Sequence, residues 1–368
     1  MKILFVCNRL GYGGAEHVCI MLANGLVDRG HEVAIASDNI HDITYTIDPR
    51  IRLVELRPAV RNKYLRILLS VRILRKYVAH FRPDVAIGIM WFCSLKAYLA
   101  CRGFNIPIIS TVHDSFERPS FAKMSRMEHF IKFQLNKIYS CVTVLTHADK
   151  KVIGDRLKNV FVMPNPLDLA PLKEVPSKKK IILAAGRTDC WFYKGFDILF
   201  EAWRRIESHY SDWKLVVAGE SGKTEKREAN ARKLIETTKD LTDRGRLEFL
   251  GFQRDMAKVY RESDIFVLSS RYEGFGLVLV EAMSQGCACI ACDYNGRQSE
   301  ILGDANTGVV CEVNDVDALA KKMEYLLNHE QVRKAFQEKA ILRANYYYLP
   351  HVVLMWEKLL NNLVGKKE

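Results

Sequence analysis

The densest chemistry in the chain lies in Ser270-Arg271-Tyr272-Glu273-Gly274-Phe275-Gly276, which leads through four apolar residues to Glu281. Seven residues separate the two glutamates. On that spacing Glu273 falls in a loop and Glu281 about a turn and a half into the following helix, so both can face one crevice. A loop carboxylate can hold sugar hydroxyls. A deeper one can accept both hydroxyls of a ribose, because Asp and Glu accept through two oxygens. Gly274 and Gly276 leave bare N–H groups at a helix start, where a phosphate can bind. The alternative for Glu281 is a solvated acid on a helix face, and its neighbours Leu279, Val280, Ala282 and Met283 weigh against it.

A second group is Gly186-Arg187 with Lys194-Gly195 seven residues on. A strand, a loop with two cations and a helix start make a diphosphate clamp, with Arg as a planar fork and Lys as a mobile point charge. Two solvated surface cations are the plain alternative. The position at a strand's carboxyl end favours the clamp. A third group is Gly11-Tyr12-Gly13-Gly14-Ala15-Glu16 near the N-terminus. Glycines let backbone amides approach a phosphate, with the positive end of a helix behind them. A dinucleotide fingerprint starting at Gly11 would need glycine where Glu16 stands, although Asp38 is placed as a ribose-binding acid would be. A turn that only tightens strand–helix packing is also open.

These loops need strands beneath them. β-prone apolar runs are expected at 2–7, 31–37, 51–56, 84–89, 107–112 and 141–145, with helical stretches between them. Such alternation means parallel pairing through right-handed crossovers. The rhythm breaks near Pro164, Pro166, Pro171 and Pro176, as in an interdomain linker. It restarts with strands at 181–186, 213–219, 247–250, 265–268 and 287–291. The expected fold class is α/β, with two Rossmann-like parallel-sheet domains: residues 1–165, a linker at 166–178 and residues 179–345. A terminal helix at about 346–368 is expected to pack back on the first domain. Each open sheet puts its ligand crevice at the carboxyl ends of its strands.

Charge is uneven. The chain carries a net +12, and residues 1–170 hold 24 Lys and Arg against 14 Asp and Glu. A basic first half suits an anionic partner. The stretch 57–82 has eight cations and no acid, with Leu65, Leu68, Leu69, Ile73, Leu74 and Val78 among them. On a helix these make an apolar stripe bordered by cations. Arg66, Arg72, Arg75 and Lys76 are the candidates for an anionic membrane surface. The same stripe could instead pack on the sheet. The apolar run 3–7 is too short for a secretory signal, and no run approaches a bilayer span. Most of the ten cysteines sit in apolar runs, as reduced cytoplasmic thiols do. Cys287, Cys289 and Cys292 read as a buried strand rather than a metal motif. The expected location is cytoplasmic, peripheral on the inner face of the cell membrane.

Taken in order, these motifs resemble the retaining family 4 glycosyltransferases of GT-B fold, whose two domains face a central cleft. The match adds Thr111-Val112-His113, Pro164-Asn165-Pro166 and Phe249-Leu250-Gly251, and covers nearly the whole chain. The resemblance implies that Gly13 and Gly14 touch the donor diphosphate and that Arg187 and Lys194 hold it. Glu273 would bind the donor sugar, with Gly274 and the amides of Phe275 and Gly276 alongside. Glu281 would hold the ribose, Phe252 would edge the nucleobase, and His113 would face the sugar. As a bare feature, His113 is equally a capping or packed histidine. The family often has a Gly-Gly pair where Tyr294-Asn295-Gly296 stands before Glu300, and here Trp191 and Phe192 lie in the cationic loop. Both departures bear on the donor sugar.

The implied reaction moves a hexose or N-acetylhexosamine, with retention, from a UDP-linked nucleotide sugar. The acceptor is a saccharide or polyprenyl-linked saccharide, as in bacterial surface-polysaccharide or lipid-linked oligosaccharide assembly. Front-face substitution would pass the acceptor's proton to the departing phosphate oxygen, with charge stabilised by Arg187, Lys194 and helix N-termini. With the leaving group stabilised by those cations and helix N-termini, no metal or other cofactor is expected beyond the nucleotide-sugar co-substrate. Two rivals are an NAD-dependent oxidoreductase using the N-terminal glycine loop and a nucleic-acid-binding protein using the basic half. The first would leave the Arg187/Lys194/Glu273/Glu281 set without purpose. The second would want aromatic platforms among the cations, and nucleic acid is not expected as a partner.

Overall fold

The computed structural model describes residues 1–11 and 13–365. It divides into two compact units, Met1–Asp168 with the C-terminal stretch from Leu349, and Leu169–Tyr348.

Unit 1 is built on a parallel sheet of seven strands: β1 (Lys2–Cys7), β2 (Glu32–Ser37), β3 (Arg52–Glu55), β4 (Val85–Ile89), β5 (Ile108–Thr111), β6 (Cys141–Val144) and β7 (Val160–Val162). Their spatial order is β3-β2-β1-β4-β5-β6-β7. Unit 2 holds six strands: β8 (Lys179–Ala185), β9 (Lys214–Ala218), β10 (Leu247–Gly251), β11 (Ser263–Leu268), β12 (Ala288–Asp293) and β13 (Gly308–Glu312). Their order is β10-β9-β8-β11-β12-β13, again all parallel.

The central strands read as unbroken apolar runs because helices cover both faces of each sheet. Leu4, Val6 and Ala86 pack against Leu74, Val78 and Ala97 of the helices on one face of unit 1. In unit 2, Ile182, Val217 and Val267 pack against Phe196, Leu199 and Trp203. The two strands that the sequence did not show, β7 and β13, both lie at sheet edges. Their apolar runs, 160–163 and 309–311, are only four and three residues long, too brief to separate a strand from a loop.

The strand order reverses between β1 and β4 in unit 1 and between β8 and β11 in unit 2. Loops leaving neighbouring strands there run in opposite directions and open a crevice at the carboxyl edge. In unit 1 the loops at this point carry Gly13 and Gly14 after β1, and Met90 after β4. In unit 2 they carry Arg187 after β8, and Ser269 to Gly276 after β11.

Candidate active site

In unit 2 the loop after β8 and the loop after β11 are locked together. Gly195 has φ 63°, and a Cβ there would lie 1.9 Å from the backbone oxygen of Ser269. Only glycine permits that approach. The Ser269 hydroxyl donates to the Lys194 carbonyl at 2.8 Å. This brings Lys194 Nζ to 2.6 Å from Glu273 Oε1, which also accepts from Ser270 Oγ at 2.8 Å. The two residues assigned to diphosphate and sugar therefore meet as a half-buried ion pair, 79 positions apart in sequence.

Arg271 ties the same loops from below. It is buried and forms a two-pronged pair with Asp197, 2.7 Å on each arm. It also donates to the Phe192 carbonyl and to Asn314 Oδ1, each at 2.6 Å. Its guanidinium lies 4.3 Å from the Phe192 ring centre. Phe192 stacks with Arg271 while staying partly exposed, and the Trp191 indole N–H donates to Asn230 at 3.3 Å.

Arg187 is half-exposed and rests on the buried Asp189, with Nε 3.0 Å from Oδ1. Asp189 also accepts from the Gly222 amide at 3.1 Å. Burial works to raise the Asp189 pKa, but the Arg187 hydrogen bond and the Gly222 amide outweigh it and hold the carboxyl below its usual range. The same contact raises the Arg187 pKa, so both groups are charged at neutral pH.

Gly276 caps the helix Leu277–Ser284 with φ 89°, and Phe275 is buried edge-on to Tyr347 at 5.5 Å. Glu281 sits in that helix and accepts from Tyr260 Oη at 2.8 Å. Phe252 is half-exposed just beyond β10. After β12, Asn295 and Gly296 adopt φ 52° and 83° in succession. Asparagine is among the few side chains that tolerate this left-handed region, so the turn keeps two left-handed residues although one glycine is replaced.

In unit 1, the helix Gly14–Asp28 starts at the glycine loop. The Glu16 carboxylate folds back over Gly13, 2.0 Å from where a Cβ would stand, and pairs with Arg9 at 3.1 Å. Gly14 faces open space. His113 follows β5 with Nε2 3.0 Å from Thr111 Oγ1 and Nδ1 3.2 Å from Asn165 Oδ1. Enclosure pushes the imidazole pKa down to about 4, against the opposing pull of Asn165, Asp114 and Glu16. The ring is therefore neutral at physiological pH. Asp38 is gripped by the buried Lys96, whose Nζ lies 2.7 and 2.6 Å from its two oxygens. A carboxylate so engaged is poorly placed to receive a ribose.

The basic helix spans Lys63–Phe81, capped by the Asn62 side chain. Its apolar stripe divides. Leu74, Val78 and Phe81 are buried in the core, whereas Tyr64, Leu65 and Leu68 are 81%, 44% and 49% exposed. Arg75 differs from the other three expected surface cations. It donates to the carbonyls of Ala100 and Arg102 at 3.1 and 2.6 Å and covers the Phe104 ring at 4.8 Å, so it caps the neighbouring helix Met90–Cys101. The cysteines of β12 and its approach are buried free thiols, Cys292 facing Cys311 at 3.5 Å. Among the described residues no group of three His, Cys, Asp or Glu is gathered as metal ligands would be.

Residues 171–343 match the family described as glycosyl transferases group 1, and residues 12–171 match glycosyltransferase family 4. The chain belongs to these glycosyltransferases. This glycosyltransferase is 26% identical to an uncharacterized glycosyltransferase of Haemophilus influenzae, over 97% of this chain and 98% of that one. It is 24% identical, over 98% of both chains, to the Campylobacter jejuni GalNAc-alpha-(1->4)-GalNAc-alpha-(1->3)-diNAcBac-PP-undecaprenol alpha-1,4-N-acetyl-D-galactosaminyltransferase. Among solved structures, Anabaena HepE in complex with UDP and glucose superposes with a TM-score of 0.79 at 18% identity, covering 98% of this chain and 99% of that one. The fold is GT-B, two Rossmann-like parallel-sheet units.

Sequence reasoning singled out the residues that this glycosyltransferase presents in its loops and missed those that hold them. Asp189 under Arg187, Asn165 against His113 and Arg271 as the loop staple were read as motif filler or not at all. Asn165 and Arg271 stand inside quoted motifs, and their type was the available signal. A buried Arg or Asn in a conspicuous loop needs partners.

Proposed function

We propose that this glycosyltransferase moves a hexose or N-acetylhexosamine from a UDP-sugar, with retention, to a saccharide or lipid-linked saccharide. The coarser statement, a glycosyltransferase of polysaccharide or lipid-linked glycan biosynthesis, already follows from its relatives. The Lys194–Glu273 pair carries the reading. A cation for phosphate and a carboxylate for sugar hydroxyls lie 2.6 Å apart at a strand-order reversal. A sugar bound through its phosphate puts both charges within reach of one ligand.

In this reading Arg187 and Lys194 receive the diphosphate, Glu273 the sugar, Glu281 the ribose, and Phe252 flanks the base. Gly274, Phe275 and Gly276 line the sugar and phosphate. Gly13, Gly14 and His113 of unit 1 act as the family resemblance implies. Arg187 pairs with Asp189 and Lys194 with Glu273. A diphosphate arriving there would compete with these carboxylates for the two cations. The acceptor hydroxyl's proton passes to the departing phosphate oxygen, and the cations stabilise the charge growing there. Because fixed cations do this work, the reaction needs no metal. The HepE complex with UDP and glucose and the undecaprenol-linked substrate in the Campylobacter relative's name support the donor and acceptor classes.

The chain sits in the cytoplasm, peripheral on the inner face of the membrane. No helix among the described residues is long and apolar enough to cross a membrane. Support for surface contact comes from exposed Tyr64, Leu65 and Leu68 beside Arg66, Arg72 and Lys76. The test of the whole reading is product mass spectrometry with UDP-hexoses and UDP-N-acetylhexosamines on polyprenyl-diphosphate-saccharide acceptors, with and without EDTA. An α-linked product from an α-linked UDP donor, formed equally with chelator, is expected. An inverted linkage, no UDP-sugar turnover or strict metal dependence would each overturn the corresponding part.

A further inference from the structure

Tyr260 lies in the short helix Met256–Glu262 and is fully buried. Its ring packs edge-on against Phe266 of β11, with centroids 5.8 Å apart. Phenylalanine would fill that space as well. The hydroxyl is nevertheless present, and it points at one atom, Glu281 Oε2, 2.8 Å away. A buried hydroxyl persists where it has a partner, and hydrogen bonds to a carboxylate are among the stronger ones. Burial, reinforced by the Glu281 charge, pushes the phenol pKa up, so it stays a donor throughout the physiological range.

The backbone beneath Tyr260 is fixed too. Its carbonyl accepts from Lys178 Nζ and Cys287 Sγ, each at 3.2 Å. A tyrosine anchored at both its carbonyl and its ring offers a rigid donor. A glutamate side chain by contrast samples many rotamers, and their loss opposes binding of any ligand that needs one. The phenol settles that orientation before a ligand arrives.

We propose that Tyr260 is a positioning residue for donor recognition: its buried hydroxyl holds the Glu281 carboxylate in the orientation that receives the ribose hydroxyls of a nucleoside diphosphate. The inference rests on the reading of Glu281 as the ribose acceptor. Tyr260 itself touches no substrate. It also belongs to the helix that follows the Phe252 loop, so one element sets both the base-side loop and the ribose acid.

The experiment is calorimetric titration of the full chain with UDP, GDP, ADP and CDP, each beside its 2′-deoxy counterpart. Wild type, Tyr260→Phe, Glu281→Ala and the double variant are compared. Tyr260→Phe removes only a buried oxygen, and its thermal midpoint reports whether the fold is kept. For the preferred nucleotide, wild type should favour the ribo form over the deoxy form, and Glu281→Ala should abolish that preference. Tyr260→Phe should weaken the ribo form by about five- to tenfold and the deoxy form far less, a change of about 1–1.4 kcal/mol. The double variant should bind as Glu281→Ala does, because both act through one contact. Equal weakening of ribo and deoxy nucleotides, or unchanged binding of both, would overturn the inference while Glu281 keeps its role. Loss of ribo preference in no variant, or no nucleotide binding by wild type, would remove the reading of Glu281 itself and the inference with it.

Discussion

At the scale of single residues, the charge of the two candidate loops is held in ion pairs. Arg187 rests on Asp189 and Lys194 on Glu273. Removing either cation removes charge that matters most as the leaving phosphate develops. Arg187→Ala and Lys194→Ala should each lower turnover by about 10²–10³, with smaller changes in donor affinity, measured as kcat and KM for the UDP-sugar. His113 gives a separate handle. Its folded pKa is about 4 against 6.5 for the free side chain. Between these values the unfolded chain binds a proton that the folded chain refuses, so stability falls as pH drops from 6.5 towards 4. Above 6.5 the contribution is fully present. Urea unfolding at neutral pH and at about pH 5 should show a larger acid loss in wild type than in His113→Gln.

At the scale of elements, the helix Lys63–Phe81 serves two ends. Its second half builds the core and its first half exposes Tyr64, Leu65 and Leu68. Lipid contact should therefore depend on Arg66, Arg72 and Lys76, each contributing about 1 kcal/mol at an anionic surface. The triple Ser variant should lose co-sedimentation with anionic vesicles and keep its thermal midpoint. Arg75→Ser should do the reverse, because Arg75 caps the helix Met90–Cys101. The sequence could show that this helix is basic and amphipathic, but not where the stripe divides. That depends on how far the sheet extends beneath it. The loops after β8 and β11 were legible because glycines and charges stand directly after apolar runs. Their internal wiring was not, because Arg271 reaches Asn314 and Asp197 across spacings that no helical or strand period encodes. The edge strands β7 and β13 escaped because their apolar runs are only four and three residues long.

At the scale of the molecule, unit 1 is closed by the end of the chain. The helix Leu349–Val364 buries Val352, Val353, Trp356, Leu359 and Leu360 and packs on the helix Gly14–Asp28. Val353 lies 2.5 Å from where a Cβ on Gly25 would stand, so the contact needs glycine there. Glu357 joins Arg29 at 3.1 Å and His31 at 3.0 Å. Buried apolar side chains contribute about 1.5–3 kcal/mol each, so truncation after Tyr348 should leave unit 1 unfolded or aggregated, read by thermal denaturation and size-exclusion chromatography. Glu357→Gln should shift the midpoint only slightly. The same arrangement bears on synthesis. A chain emerging from the ribosome releases all of unit 2 before the last piece of unit 1. Until the helix Leu349–Val364 has been made, Val18, Met21 and Leu22 of the first helix belong to a domain that lacks one of its helices. Unit 2, continuous in sequence, can finish folding first. The nascent first half must wait for that helix before unit 1 can close.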